Sequence, residues 1–254
     1  MAEAKQVKNM CFHTSTTFKT KKLEAFYKVK LGDESNRDNF DKPNYHLNGF
    51  SHPNMLIIPQ QKSNVLTPAV WGIVPSGKSK SDIKPYFKES VRFGSGLNAR
   101  SEKVFQHFMY RESIMTKRCI IPVSGFFEPH DQKGKKYPFY ITSKNEEPIS
   151  LAGLYTIIDT VVTFTILTKD ASPLFEKIHN KKKRQPIILD SEHTHNWLSV
   201  DLNETDIEEL LNADYPEGKL NAYSVSKDLF SPKFESNVEN ILNPVNYEDL
   251  ELKV

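Results

Sequence analysis

Residues 119–128, Cys119-Ile120-Ile121-Pro122-Val123-Ser124-Gly125-Phe126-Phe127-Glu128, decide how this chain folds. The apolar run, the Ser-Gly break and the two aromatics predict two short strands, 119–123 and 125–127. The pattern recurs downstream. Residues 137–141, 149–154 and 161–167 are strand-like, with Gly134 in a hairpin turn ahead of the first of them. The run from Leu151 to Leu167 carries Asp159 and several threonines, so it predicts two strands and a turn rather than a membrane span. Upstream, 55–58 and 65–73 are two more strands, bounded by Pro53, Pro59 and Pro75.

Helical signals are interspersed among these strands. Leu23, Phe26 and Tyr27 share a face of a helix over 20–30, and 33–44 is a charged loop. Gly94-Ser95-Gly96 marks a turn, after which Ser101 caps a helix to about 115 that buries Val104, Phe105 and Phe108. A short helix over 173–178, a strand over 186–189 and a helix carrying Trp197 and Leu198 follow. Thr205-Asp206-Ile207-Glu208 has the form of a capping box opening another helix, and the tail after Tyr223 reads as loop. No repeat or regular strand–helix alternation is present. The expectation is α+β: a single mixed domain, mainly antiparallel, over 11–254, with residues 1–10 an extension that is disordered or removed.

The 254 residues include 16 Phe and 10 Tyr, too rich an aromatic supply for a disordered chain. Lys and Arg number 34 against 32 Asp and Glu, a net charge of +2 that excludes wholesale wrapping of a polyanion but not a local basic groove. Two cysteines exclude a disulfide scaffold or a Cys-rich zinc module. Residues 1–10 lack the apolar core of a signal peptide, and the chain reads as soluble and intracellular. His193 and His195 point apart on a helix, so no metal is expected, nor any cofactor.

Several residues carry chemistry, each with a plainer alternative. Cys11 follows Met10. If the chain begins at Cys11, thiol and α-amine sit on adjacent carbons, and the amine titrates near ~7.7–8.0. Such a 1,2-aminothiol condenses with an aldehyde to an imine, which the sulfur closes to a thiazolidine; the alternative is a buried apolar filler. Glu128, behind two aromatics, is either desolvated and raised in pKa for proton transfer or a surface residue at a strand end. His179 stands between an apolar helix face and the run Lys181-Lys182-Lys183-Arg184, as acid or base or as a structural histidine. That run suits phosphate or is a solvated face, and Trp71 stacks on a base or plugs the core. Asn98-Ala99-Arg100-Ser101-Glu102 follows the glycine turn and opens a helix, offering amides and a guanidinium to a phosphate or sugar oxygen.

In this order the motifs resemble the SRAP family, the SOS response-associated peptidases that process abasic sites. The resemblance rests on Met10-Cys11, Trp71-Gly72, Asn98-Ala99-Arg100-Ser101-Glu102, Cys119-Ile120-Ile121-Pro122 running into Gly125-Phe126-Phe127-Glu128, Leu151-Ala152-Gly153, and His179 followed by Arg184-Gln185-Pro186-Ile187-Ile188-Leu189. It implies a mixed domain with a barrel-like antiparallel sheet, peripheral helices and a groove for single-stranded DNA. It implies that Cys11, made N-terminal, is the nucleophile that forms a thiazolidine with the abasic-site aldehyde. Asn98 then holds the sugar, Glu128 shuttles protons and His179 assists ring opening and reversal. Arg100, Trp71, Lys183 and Arg184 are the expected DNA contacts. The family commonly has Gly-Arg after the cysteine, and His13 of Phe12-His13 is expected to stand in for that phosphate contact.

Ten residues precede Cys11, and an amide-bonded Cys11 cannot form a thiazolidine, so Met10 is read as the natural start; the alternatives are removal of 1–10 by self-cleavage or a chain blocked for this chemistry. The implied partner is single-stranded DNA containing abasic sites, bound by a monomer without membrane association. The implied location is the cytoplasm if bacterial, or the nucleus if eukaryotic. Two other functions stay open: a thiol peptidase that removes the residues before Cys11, and a noncatalytic single-strand binder.

Overall fold

The computed structural model describes residues 12–254, so Cys11 and the expected extension 1–10 lie outside the described residues. The chain begins β1 (His13–Thr16), α1 (Thr20–Tyr27), β2 (Lys30–Leu31), α2 (Arg37–Phe40), β3 (Asn44–Asn48), β4 (Asn54–Pro59), β5 (Val65–Trp71), α3 (Ile83–Ser90) and β6 (Asn98–Arg100). It continues α4 (Arg111–Thr116), β7 (Arg118–Val123), β8 (Gly125–Gln132), β9 (Lys135–Ser143), β10 (Ile149–Ile158), β11 (Val161–Asp170) and α5 (Pro173–Ile178). Then come β12 (Arg184–Pro186), β13 (Ile188–Leu189), α6 (Ser191–Trp197), α7 (Glu204–Asn212), β14 (Leu220–Ser224) and a tail with two short 3-10 turns.

Two sheets result. The smaller, in the order β14-β9-β8-β1-β3, is antiparallel throughout. The larger runs β12-β11-β10-β7-β4-β5-β2, with β13 beside β10 and β6 beside β11. Its parallel pairings are short: β5 and β6 on β11, and β2 on β5. The expected mixed, mainly antiparallel domain is what forms.

The segment 119–128 is the corner between the sheets. β7 belongs to the larger sheet and β8 to the smaller, and only Ser124 separates them. Its amide donates to Ser15 O at 2.9 Å and its hydroxyl oxygen accepts from Thr17 N at 2.7 Å, tying the corner to β1. Gly125 is required there, because a Cβ would lie 2.5 Å from the Tyr140 ring and 2.6 Å from Ile141 O. Strand periodicity then sorts the side chains. Cys119, Ile121 and Val123 face the space between the sheets, whereas Ile120 joins Trp197, Ile207 and Leu211 under the helices. On β8, Phe126 faces the intersheet core and Phe127 the outer cluster with Tyr140 and Leu229. The β8–β9 hairpin turns through Lys133 and Gly134, both at positive φ, as a two-residue turn demands.

Several expectations need correction. No continuous helix runs from Ser101 to 115: Asn98–Arg100 is a strand parallel to β11, a 3-10 turn follows, and α4 begins only at Arg111. Phe108 is accordingly 71% exposed rather than buried. The helix over 20–30 stops at Tyr27, where Lys28 takes a left-handed C-cap, and Phe26 is exposed. The loop over 33–44 contains α2, and the box opening α7 is Asn203 with Asp206, two residues before the predicted one.

Candidate functional site

Glu128 follows Phe126 by two residues on β8, so the pleat turns its carboxylate into the intersheet space, where it is completely buried. His179, immediately after α5, is 2% exposed, and its Nδ1 lies 3.2 Å from Glu128 Oε2. The same Nδ1 is 2.9 Å from Arg184 O. A carbonyl only accepts, so Nδ1 carries a hydrogen. Asn98 sits beside Ile166, a member of the intersheet core, while its neighbours Ala99 and Leu167 face the helices. Alternation therefore turns Asn98 to the same side as Glu128 and His179.

Residue 12 reaches this place too. β1 pairs with β8 through His13 and Phe127, and one further step in that register sets residue 12 opposite Glu128. Phe12 is buried, its carbonyl accepting from Gly49 N at 2.8 Å and its ring tilted on Phe50 at 4.8 Å. Cys11, the covalent neighbour of Phe12, lies outside the described residues. The other cysteine, Cys119, is buried and its thiol is pushed well above its ordinary pKa by burial, which disqualifies it as a nucleophile.

Two residues that sequence reasoning missed hold His179 in place. His130 Nδ1 meets Lys177 O at 2.9 Å and Ile178 O at 3.2 Å. Asn180 exchanges two hydrogen bonds with the backbone of Asp131, at 3.0 and 2.8 Å. The end of α5 is thereby clamped to β8 two residues beyond Glu128. The only sequence signal was nearness in the chain: Asn180 directly follows His179, and His130 lies two residues after Glu128.

The expected DNA contacts separate. Arg100 is exposed on β6, beside Thr168. Trp71 is 0% exposed, donates from Nε1 to Leu97 O at 2.9 Å and stacks on Phe164, so it is a core plug with no face for a base. Arg184 is buried, bidentate on Glu102 at 2.9 Å and bonded to Asp170 at 2.7 Å and Thr168 O at 2.8 Å. It ties β11, β12 and the turn after β6 together, its own carbonyl meeting His179, and is unavailable to a phosphate. Lys183 is exposed but lies 3.3 Å from Glu176, and Lys181 pairs with Asp131 at 2.8 Å, so the basic run is largely neutralised.

His13 is corrected as a phosphate-binding cation. Its Nδ1 meets His46 Nε2 at 2.8 Å, and His46 Nδ1 meets Ser236 Oγ at 2.7 Å. Burial, reinforced by His46, lowers the His13 pKa to about 3, and burial lowers that of His46 to about 4. Both rings are neutral at pH 7 and offer hydrogen bonds rather than charge. The consequence for stability has a definite sign. Below about pH 6.5 the unfolded chain protonates these imidazoles while the folded protein does not, so stability falls as pH drops toward 4. The limiting slope is about 1.4 kcal/mol per pH unit for each ring. Urea midpoints at pH 7 and pH 5 check this, and His46→Gln is expected to flatten the difference.

A buried carboxylate–imidazole pair, a neighbouring amide and an arriving strand end match the order of motifs read from the sequence. The family model described as SOS response associated peptidase (SRAP) matches residues 10–232. The chain belongs to the SRAP family. Among its relatives are the abasic site processing protein YoaM of Bacillus subtilis, 28% identical over 225 residues that cover 83% of this chain and 93% of YoaM. YoqW of the same organism, with the same description, is 30% identical and covers 74% of this chain and 85% of its own length. A crystal structure of a protein from Bacteroides thetaiotaomicron superposes with a TM-score of 0.80 at 32% identity, covering 93% of this chain and all of that one. The SRAP fold is therefore shared along nearly the whole chain. Among the described residues no group of three or more His, Cys, Asp or Glu could hold a metal ion, and no helix is long and apolar enough to cross a membrane.

Proposed function

We propose that this SRAP protein captures the aldehyde of an abasic site in single-stranded DNA as a thiazolidine on Cys11, once Cys11 is the N-terminal residue. The α-amine attacks the carbonyl carbon of the ring-opened sugar, and water leaves to give an imine. The thiol then adds across the C=N bond, its proton passing to nitrogen. One water is released and no oxidant or reductant is consumed. Glu128 and His179 are the proton carriers for these steps, Asn98 holds the sugar and Arg100 contacts the phosphate. An abasic site has no base to read, so backbone contact and covalent capture must supply recognition, and the missing base spares most of the cost of extruding a nucleotide.

The observation that carries this reading is the buried Glu128, 3.2 Å from His179 and, by the β1–β8 register, opposite the residue that follows Cys11. The names of the SRAP relatives, abasic site processing proteins, support it. Protein that begins at Cys11, mixed with an abasic single-stranded oligonucleotide, is expected to give a band that survives denaturing electrophoresis. Cys11→Ser is expected to give none, and intact mass reports the N-terminus actually present. A band of equal intensity from Cys11→Ser would overturn the reading.

A further inference from the structure

Beside β1 a cleft of about 520 Å³ opens between β1, β3 and the tail segment 229–237. Phe12 and Pro129, the neighbours of Cys11 and Glu128, belong to its lining. Its charges balance, one Lys136 against one Glu235. Its other polar groups are neutral, among them the His13–His46 pair, Asn48, Ser236 and Asn237. Aromatic faces complete it. Phe230 lies 5.2 Å from the His13 ring, and Phe234 is 57% exposed on the rim.

Such a lining does not suit a phosphate, which needs net positive charge, nor an aliphatic group, which would strand the imidazoles and amides. Flat aromatic surface with neutral hydrogen-bonding edges suits a nucleobase, and the volume falls in the range of small-ligand sites. The wall is held firmly. Asn237 Oδ1 accepts from Tyr45 N at 2.8 Å and His46 N at 3.3 Å, and farther along the tail Asp249 binds Lys135 at 2.9 Å and Tyr137 at 2.7 Å. Phe234 to Asn237 also lie beyond residue 232, where the SRAP match ends, so this wall is an addition to the matched region.

We infer that this cleft takes the nucleobase adjoining the abasic site, stacked on Phe234 and edged by His13 and His46. The inference rests on the proposed capture at Cys11, which brings the strand to Phe12, and it makes recognition depend on a neighbour of the missing base.

The test uses a fluorescein-labelled single strand containing one tetrahydrofuran abasic analogue, which lacks the aldehyde, so that affinity is read by anisotropy without any covalent step. Replacing the base on one side by a second tetrahydrofuran is expected to weaken binding to the full chain at least about fivefold, the lower end of the stacking range per base. Replacement on the other side has a smaller effect. Phe234→Ala is expected to bind the single-analogue strand about as weakly as the wild type binds the doubly substituted one, and to lose the neighbour effect. Less than a fivefold effect on both sides, or a Phe234→Ala protein that keeps the full difference, overturns the inference. A neighbour effect without any denaturation-resistant band from the true abasic strand would instead remove the capture reading and leave the base site standing.

Discussion

Glu128→Gln protein that begins at Cys11 is expected to capture abasic single strands about 10²- to 10⁴-fold more slowly than the wild type, the usual contribution of a positioned proton carrier. The substitution keeps the volume and the hydrogen-bonding shape of a side chain that is wholly enclosed between the sheets, beside Phe126 and Phe139. What it removes is the carboxylate next to His179 Nδ1. Imine formation needs a proton delivered to the departing hydroxyl, and closure needs one moved from sulfur to nitrogen. An amide does neither at neutral pH. Affinity for the tetrahydrofuran strand should be nearly unchanged, because the role proposed for Glu128 is proton transfer at Cys11 rather than contact with the DNA backbone. Single-turnover capture on denaturing gels measures the first quantity and anisotropy the second. Equal losses in both would mean that Glu128 shapes the groove rather than carrying protons.

The second large effect concerns stability. Arg118→Met is expected to cost about 3–5 kcal/mol, enough to remove much of the stability of a typical domain. Arg118 is fully buried at the start of β7. Its Nε donates to Trp197 O at 2.9 Å, and one terminal nitrogen donates to Ile114 O at 2.7 Å and Met115 O at 3.0 Å. The other donates to Ser199 O, and the guanidinium lies 5.6 Å from the Trp197 ring centre. One side chain thus satisfies the last carbonyls of α4 and α6 at once. Methionine fills a comparable length of the space but removes the guanidinium donor from the carbonyls of Ile114, Met115 and Trp197, while Ser199 O keeps Gln60 Nε2 at 3.1 Å. Burial lowers the Arg118 pKa to about 10, so the group stays charged through the neutral range and its contribution does not vary there with pH. Urea unfolding of the variant at pH 7 checks the magnitude. A loss below about 1 kcal/mol would show that water replaces the guanidinium, as it can at an exposed site.

Much of this was legible before folding because it is local. Strands at 119–123, 137–141, 149–154 and 161–167 follow from apolar runs punctuated by Gly and polar residues, and all four exist, each longer than its predicted span. Gly134 announced its hairpin through the positive φ that a two-residue turn requires. The helix over 173–178 was found at its observed bounds because Pro173 occupies the first turn, where a missing N–H costs nothing.

Misreadings came where long-range contact overrode local preference. Asn98-Ala99-Arg100 looked like the mouth of a helix, yet pairing with Ile166, Leu167 and Thr168 of β11 draws it into the sheet. Arg184 looked like a phosphate ligand because a sequence shows its charge but not the Glu102 and Asp170 that neutralise it from 82 and 14 residues away. His13 looked cationic for the same reason: its neighbour in space, His46, is 33 residues distant in the chain. The tail after Tyr223 read as loop because its backbone is irregular, although Val225, Leu229 and Ile241 are packed against Phe127 and Tyr140.

By itself the sequence determined the strand periodicity, the glycine punctuation and the order of chemical groups, since each depends on residues adjacent in the chain. Only the tertiary structure decided that Glu128 and His179 meet, that His130 and Asn180 clamp them, and that Trp71 and Arg184 turn inward. Those outcomes depend on β8, β11 and α5 crossing at one place, and burial and pairing there set what each side chain can do.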